Sequence, residues 1–474
     1  MNNPSASPAP QDAVKNRRFH HTVLFSLLGF VIFSAYTANV DEPLHLYEGL
    51  LIILLAALPV VLWTRHPTEQ LPILEAFMLT FINAYAMPLL NDHGPLQAYP
   101  IDTITESGML VLLFQTAVLS SFYLIRIPPK ETPFWTQEII PDEIGRYLGY
   151  GQVLNTIYTF INTFYAFIPG DLNSILRAVF FGVGVICTFI QGYRWGKESL
   201  KYGEKTYFIV NLTLQSVLLA STLYLTYTIS LLILAFLGYV AGGRRIPLFT
   251  MITMLSLVAI LHNGKAAMRA KYWDAEGAQV LQLSPTNLPD LFIEWFKVGL
   301  VTNPREDQTI AGKLVDRTSL IHMLCLVVDH TPRTQPYLNG LTYGYIPGQF
   351  IPRFFWPEKP LGTIATSTLA IHYGLQDEHA TQTTTIAFGV IVEAYANFGI
   401  FGVFVVGLII GTSLKTVYCW TSHSPIFSYA GIFTIILLAW SFQIEEVMSV
   451  WLSSLFQATV TALGVPLILR SILI

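Results

Sequence analysis

Residues able to do chemistry gather in four short clusters in the second half of this 474-residue sequence. The first runs His262-Asn263-Gly264-Lys265-Ala266-Ala267-Met268-Arg269-Ala270-Lys271-Tyr272-Trp273. On a helix, Lys265 and Arg269 lie four apart on one face, a cation pair suited to clamping a lipid phosphate, with Tyr272 and Trp273 close behind. Ordinary anchoring at a membrane boundary draws on the same residue types, and both readings stand. The second cluster is Asp316-Arg317-Thr318-Ser319, leading into an apolar run that ends Asp329-His330-Thr331-Pro332-Arg333. Arg317 is either a phosphate ligand or the ion-pair partner of Asp316 or Asp329. Asp329-His330 is either an oriented base or a solvated loop pair, and Arg333 adds a further cation.

The third cluster is Ile351-Pro352-Arg353-Phe354-Phe355-Trp356-Pro357-Glu358-Lys359-Pro360. Its prolines fix the backbone locally and hold Arg353 and Lys359 beside Trp356. Aromatic faces stack on sugars and on guanidinium groups; a structural turn is the alternative. The fourth is Glu393 in Val392-Glu393-Ala394-Tyr395-Ala396-Asn397-Phe398-Gly399, with Asn397 one turn on. An ionisable residue at membrane depth is a functional candidate, or else the counter-ion of a loop arginine. No Walker A loop, dinucleotide glycine fingerprint, HExxH or paired CxxC is present, which argues against a nucleotide-driven pump and a membrane zinc protease. Cys187, Cys325 and Cys419 are too scattered for a disulfide framework. His322, Asp329, Glu358, His372 and Asp377-Glu378-His379 leave a metal site open, but neither a metal nor an organic cofactor is expected.

The elements that must position these clusters follow from composition. Hydrophobic residues make up 53% and charged residues 12% of the chain, with mean hydropathy +0.52. So few charges cannot cover a water-facing surface. A soluble enzyme and a disordered protein are excluded, and a net charge of −4 speaks against a nucleic-acid partner. The pattern is that of an all-α polytopic membrane protein in contact with the lipid bilayer. Apolar windows near 22–40, 46–63, 72–90, 107–125, 147–168, 174–193, 246–262, 386–414, 426–443 and 448–469 have the length of membrane spans. The run from Tyr207 to Val240 is long enough for two more, with a reversal near the polar patch Ser221–Thr228.

About twelve spans then place both termini inside, because Lys and Arg favour cytoplasmic loops. Lys15, Arg17, Arg18, Arg126, Lys130, Arg244 and Arg245 all fall inside, and Arg177 is the exception among short loops. The expected organisation is a cytoplasmic tail over 1–21, spans one to nine over 22–262, a long outer loop over 263–384, and spans ten to twelve over 385–474. Met1–Gln11 reads as a disordered lead, not a cleaved signal. Within the long loop, Leu288–Leu300 and Leu320–Val328 are too short to span and are expected to form short helices on, or dipping into, the outer face.

Taken in order, GKxxMRxxYW after a span, DRxxLxH, DHTP, IPRxxWPxKP and ExYANFG resemble the Wzy-type polymerases of O-antigen and exopolysaccharide synthesis. The motifs cover Pro247 to Leu414, and hydropathy extends the likeness over the chain. One departure is the middle of the double span, where relatives often carry a small-residue and Arg turn; here it is Ser221-Thr222-Leu223-Tyr224-Leu225-Thr226-Tyr227. The resemblance implies a GT-C-like glycosyltransferase of the bacterial inner membrane with 263–384 as a periplasmic loop. It would move a growing glycan from undecaprenyl diphosphate onto the next lipid-linked oligosaccharide, with a chain-length regulator as a further partner. Arginine offers bidentate donors to the departing diphosphate, so Arg317 and Arg353 lead the catalytic candidates, with Glu393 or His330 as the base. Lys265, Arg269, Tyr272, Trp273, Arg333, Trp356, Lys359 and Asn397 are the binding candidates. The rivals are an O-antigen ligase, another GT-C lipid-sugar enzyme using Asp41-Glu42-Pro43-Leu44-His45, a twelve-helix carrier, and a non-catalytic assembly scaffold.

Overall fold

The structure is a computed structural model that describes residues 10–65, 70–91, 93–128, 136–137, 145–165, 170–223, 225–243, 246–272, 284–301, 319–351, 355–356, 358–422 and 424–464. Helix is the dominant regular element, with no strand among the described residues. In chain order the main helices are α1 (Pro10–Thr37), α2 (Pro43–Arg65), α3 (Ile73–Leu90), α4 (Ile101–Leu124), α5 (Gly145–Phe164), α6 (Gly170–Gly196), α7 (Tyr202–Ser221) and α8 (Leu225–Gly243). They continue as α9 (Leu248–Tyr272), α10 (Leu288–Leu300), α11 (Ile321–His330), α12 (Ile364–His372), α13 (Val390–Trp420), α14 (Tyr429–Trp440) and α15 (Met448–Thr459). Six of them, α1, α2, α3, α4, α9 and α13, contain a stretch long and apolar enough to cross a membrane. Large apolar side chains such as Phe25, Ile32, Leu51, Phe249, Leu255 and Phe401 remain exposed on their outer faces, the mark of helices that meet lipid. The chain is a helical membrane protein.

The apolar run after Tyr207 is two helices, α7 and α8, with the reversal beginning at Thr222 and Leu223. Leu223 takes the left-handed conformation there, with φ 60, a strained choice for a branched side chain. Close crossings elsewhere use glycines spaced by four, which let backbones approach. Gly192 and Gly196 of α6 lie on the Ala235 and Tyr239 carbonyls of α8, while Gly238 and Gly242 lie on those of Phe189 and Tyr193. Gly407 and Gly411 of α13 rest on Phe114 and Val118 of α4.

Two helices of the 263–384 segment are too short to span a membrane. The face Leu291, Trp295, Gly299 of α10 is buried against α9, while Ile293, Phe296 and Leu300 stay exposed. In α11, Ile321, Leu324, Cys325 and Val327 are fully enclosed between α4 and α13. Its start is pinned by a defect in α3. Pro88 has no N–H, so the Ala84 carbonyl four residues back lacks its helical donor; a π turn forms over Ile82–Ala86, and the Leu320 N–H donates to Ala84 O at 2.8 Å.

The expectation of one continuous span over 386–414 is corrected by α13. Gly399 breaks the helix, with φ 61 and ψ −150, a backbone state open to glycine. Beyond it, a Cβ on Gly402 would press on the Ala394 carbonyl, although eight residues of straight helix span about 12 Å. The chain therefore doubles back: 390–398 is a half-helix beginning inside the bundle beside Leu320 and Ile444, and 400–420 is the longer apolar part.

Candidate functional site

One end of the bundle brings together polar groups from several helices, and the first turns of α4 are its hub. Thr103 Oγ1 donates to Asp329 Oδ1 at 3.5 Å, Thr105 pairs with His45 Nε2 at 3.2 Å, and Glu106 Oε1 accepts from the Tyr395 hydroxyl at 3.4 Å. Gly108 leaves room for the carboxylate of Glu48, 2% exposed, which a Cβ there would strike. Neither Glu48 nor Glu106 stood out among the sequence clusters. Each is a carboxylate inside or at the edge of an apolar window, the signal that singled out Glu393.

The carboxyl end of α11 and the turn after it carry His330 and Arg333. His330 Nδ1 lies 2.9 Å from the Leu326 carbonyl, which can only accept, so Nδ1 carries the hydrogen and Nε2 is left as a proton acceptor. Arg333 lies 3.5 Å from Asp329 Oδ1 in an i,i+4 ion pair, while Asp329 Oδ2 is 3.9 Å from His330 Nδ1. The side chains of His330 and Arg333 are 37% and 68% exposed, so a half-open base and a cation stand within one turn of each other.

The segment ExYANFG, which wraps the Gly399 break, is a clamp in which each named residue has a partner. Because the helix stops there, the carbonyls of Ala396 and Asn397 accept from the N–H groups of Leu338 and Asn339 at 3.0 and 3.1 Å. Asn397, fully buried, donates through Nδ2 to Thr342 Oγ1 and to the Glu393 carbonyl, both at 2.8 Å, and accepts from Gly340 N at 3.0 Å through Oδ1. Phe398 stacks on Tyr343, and Tyr337, whose hydroxyl crowds the Cα side of Gly399, meets Tyr395 edge to face. Glu393 is fully enclosed and accepts from the N–H of Met448 at 2.6 Å, the first residue of α15, where a helix amino terminus favours negative charge. Asn397 thus braces residues 338–342, at the far end of the loop that follows α11 and carries Arg333, while Glu393 ties the segment to α15. Among the described residues no arginine pairs with Glu393, so the counter-ion reading finds no partner there.

The other clusters lie apart or turn inward. Arg269 points at the hairpin tip, donating through Nε and Nη2 to the Leu223 carbonyl at 3.2 and 2.9 Å, and so holds the strained residue that reverses α7 into α8. Lys265 is 9% exposed. The Tyr272 hydroxyl donates to Glu294 Oε2 at 2.9 Å, and Lys271 pairs with the same carboxylate. The Lys271 ammonium, with help from Tyr272, holds the Glu294 carboxyl below its ordinary range. With Asn263 donating to Gly299 O and Trp295 Nε1 to Leu261 O, this cluster stitches α9 to α10. Lys359 Nζ donates to the carbonyls of Gln349 and Ile351 at 3.2 and 2.8 Å, and Trp356, 42% exposed, lies over Gly348. Arg317, Arg353 and Trp273 lie outside the described residues. Among the described residues no three His, Cys, Asp or Glu side chains gather to hold a metal ion.

No curated protein matches the chain, and no solved structure does. A family model does: it matches residues 188–445, more than half of the sequence, and includes all four clusters. The chain belongs to that family, described as Domain of unknown function (DUF8712).

Proposed function

We propose that the protein is a glycosyltransferase joining undecaprenyl-diphosphate-linked oligosaccharide repeat units into a surface polysaccharide, like the Wzy-type polymerases its motifs resemble. The observation that carries this reading is the pairing of His330, with Nε2 turned to accept a proton, and Arg333 on a loop clamped by the ExYANFG segment. In the proposed step an acceptor hydroxyl attacks the anomeric carbon and its proton passes to His330 Nε2. The bond to the diphosphate breaks, and the charge left on its oxygens is met by Arg333, with Arg317 and Arg353 assigned to the same anion. Charge positioned ahead of such a step is a large part of catalysis. Glu393 is assigned the positioning role, since its carboxylate is enclosed.

The reading includes twelve spans in a GT-C-like arrangement: the six long apolar helices, counting α13 by its 400–420 part, together with α5, α6, α7, α8, α14 and α15. It puts the site at the periplasmic face of a bacterial inner membrane, both termini in the cytoplasm, and a chain-length regulator among the partners. A carrier is the second reading, favoured by the half-helices α11 and 390–398, because broken helices are common in transport sites.

Purified protein given a lipid-diphosphate repeat unit should yield dimers and longer chains. His330→Gln should lower the rate about 10²–10⁴-fold, and Arg333→Lys should rescue Arg333→Ala poorly, because a point charge lacks the guanidinium fork. Transbilayer movement of the lipid-linked unit with no covalent product would instead support the carrier.

A further inference from the structure

At the bundle end opposite this site, α3, α13 and α14, with Phe122 of α4, line a cavity of about 30 Å³. The direction is set by the 400–420 helix, which runs along α4 away from Glu106: Gly407 meets Phe114, Gly411 meets Val118, and Tyr418 meets Phe122. The polar wall consists of Glu75, Gln70, Tyr418, Thr421, Ser424 and Thr434. Thr421 and Thr434 donate their hydroxyl hydrogens to the carbonyls of Val417 and Gly431, at 2.8 and 2.7 Å, so towards anything in the cavity their oxygens can only accept. Ser424 Oγ is buried with no hydrogen-bond partner among the described residues. The Gln70 amide nitrogen is directed to the Tyr418 carbonyl at 2.9 Å. Among the described residues Glu75 makes no ion pair; the neighbouring ammonium of Lys415 is held over the rings of Phe122 and Tyr418, 5.1 and 5.2 Å from their centroids.

We propose that this cavity binds a small monovalent cation, sodium being the best fit. The walls offer one carboxylate and several neutral oxygens biased to accept, which is the donor set of a hard cation. Ionised by the incoming cation, Glu75 would supply a single negative charge to balance a single positive one, and a divalent ion would want more carboxylates and more oxygen ligands. The volume suits an ion or water of about that size, since one water needs roughly 10–15 Å³ by the same measure. Bound there, the cation would neutralise Glu75 and tie the start of α3 to the α13–α14 turn.

The test is thermal unfolding of the full-length protein in lipid nanodiscs at constant ionic strength, with sodium chloride titrated against choline chloride and with potassium and calcium as comparators. The midpoint should rise saturably with sodium and stay flat in choline. In Glu75→Gln, and independently in Ser424→Ala, the half-saturating sodium concentration should rise at least about tenfold, equivalent to roughly 1.4 kcal/mol. The choline baseline shows whether each variant folds, and Ser424→Ala carries the test if Glu75→Gln does not. A midpoint indifferent to cation identity, as for a cavity holding only water, overturns the proposal. So does a sodium response unchanged in the variants that fold. Neither outcome touches the glycosyl-transfer reading, which concerns the other end of the bundle.

Discussion

Asn397→Ala tests whether the ExYANFG segment is a clamp. Asn397 is fully buried and makes three side-chain hydrogen bonds, to Thr342 Oγ1, the Glu393 carbonyl and the N–H of Gly340. Alanine strands the Gly340 N–H, and Gly340 sits at φ 88 inside a turn with no second acceptor offered by Asn397. A stranded donor costs about 1–3 kcal/mol and the lost neutral bond to Thr342 about 0.5–1.5 kcal/mol. The Glu393 carbonyl keeps its helical donor and adds little. The loop 337–342 should therefore come loose by about 2–4 kcal/mol, a rise of roughly 30- to 700-fold in its local opening at 1.4 kcal/mol per decade. Amide hydrogen exchange over peptides spanning 336–345 reads this directly, with peptides from α4 as the internal reference. Thr342→Val, which removes the Thr342 hydroxyl's contacts with Asn397 and Glu393 but strands nothing on the backbone, should give a smaller rise. Exchange in Asn397→Ala within about threefold of the parent, with α4 unchanged, would refute the clamp.

Three further outcomes follow from other elements. Gly411→Ala drives a Cβ into the Val118 carbonyl and Ser121 Oγ, whereas Gly29→Ala meets open space; the first should cost about 1–3 kcal/mol, seen as a lower thermal midpoint, and the second should leave the midpoint unchanged or slightly raised. The Glu294 carboxyl is held below its ordinary range by Lys271 and Tyr272, so its contribution is complete above the unfolded-state carboxylate pKa and is lost as pH falls through the lower folded value. Exchange over 288–300 should quicken across that acidic window in the parent and hardly vary with pH in Glu294→Gln. A periplasm-active reporter fused after Asn303 should be active and one fused after Gly243 inactive; the reverse pattern would overturn the orientation in the proposed topology.

Hydropathy sums over windows and is blind to the path of the chain, which explains both what the sequence disclosed and what it withheld about the fold. Polar residues between Tyr207 and Val240 exposed the α7–α8 reversal, because a tight turn needs groups that tolerate unpaired backbone. Nothing comparable marked the fold-back at Gly399. Gly402, Gly407 and Gly411 share its apolar neighbourhood, and three of the four glycines serve helix–helix contact while one serves a positive φ. Composition cannot distinguish these uses, because the backbone angle is decided by Tyr337 and the 337–342 loop that receive the freed carbonyls. Pro88 poses the same problem: the sequence shows a missing donor, but only tertiary structure shows that Leu320, more than two hundred residues later, supplies the replacement.

Spacing identified faces correctly at the site but not what those faces meet. Lys265 and Arg269 do lie one turn apart on α9, yet the Arg269 fork lands on Leu223 O. Its partner is a strained turn made by residues with no charge to announce them. A carboxylate in apolar surroundings marks Glu48 and Glu106 as well as Glu393, and both lie along the first turns of α4 or against them. Burial then separates two kinds of polar residue that a one-dimensional motif merges. Glu393 and Asn397 are enclosed, bonded to the Met448 N–H, to Thr342 Oγ1 and to the backbone of Gly340 and Glu393, and a residue so placed can position a loop but cannot meet a ligand without first leaving its partners. His330 and Arg333 keep side-chain surface open while being oriented from behind by Leu326 and Asp329. In the proposed reading the dense motif is therefore the scaffold, and the sparse segment Asp329-His330-Thr331-Pro332-Arg333 holds the groups left open to a ligand.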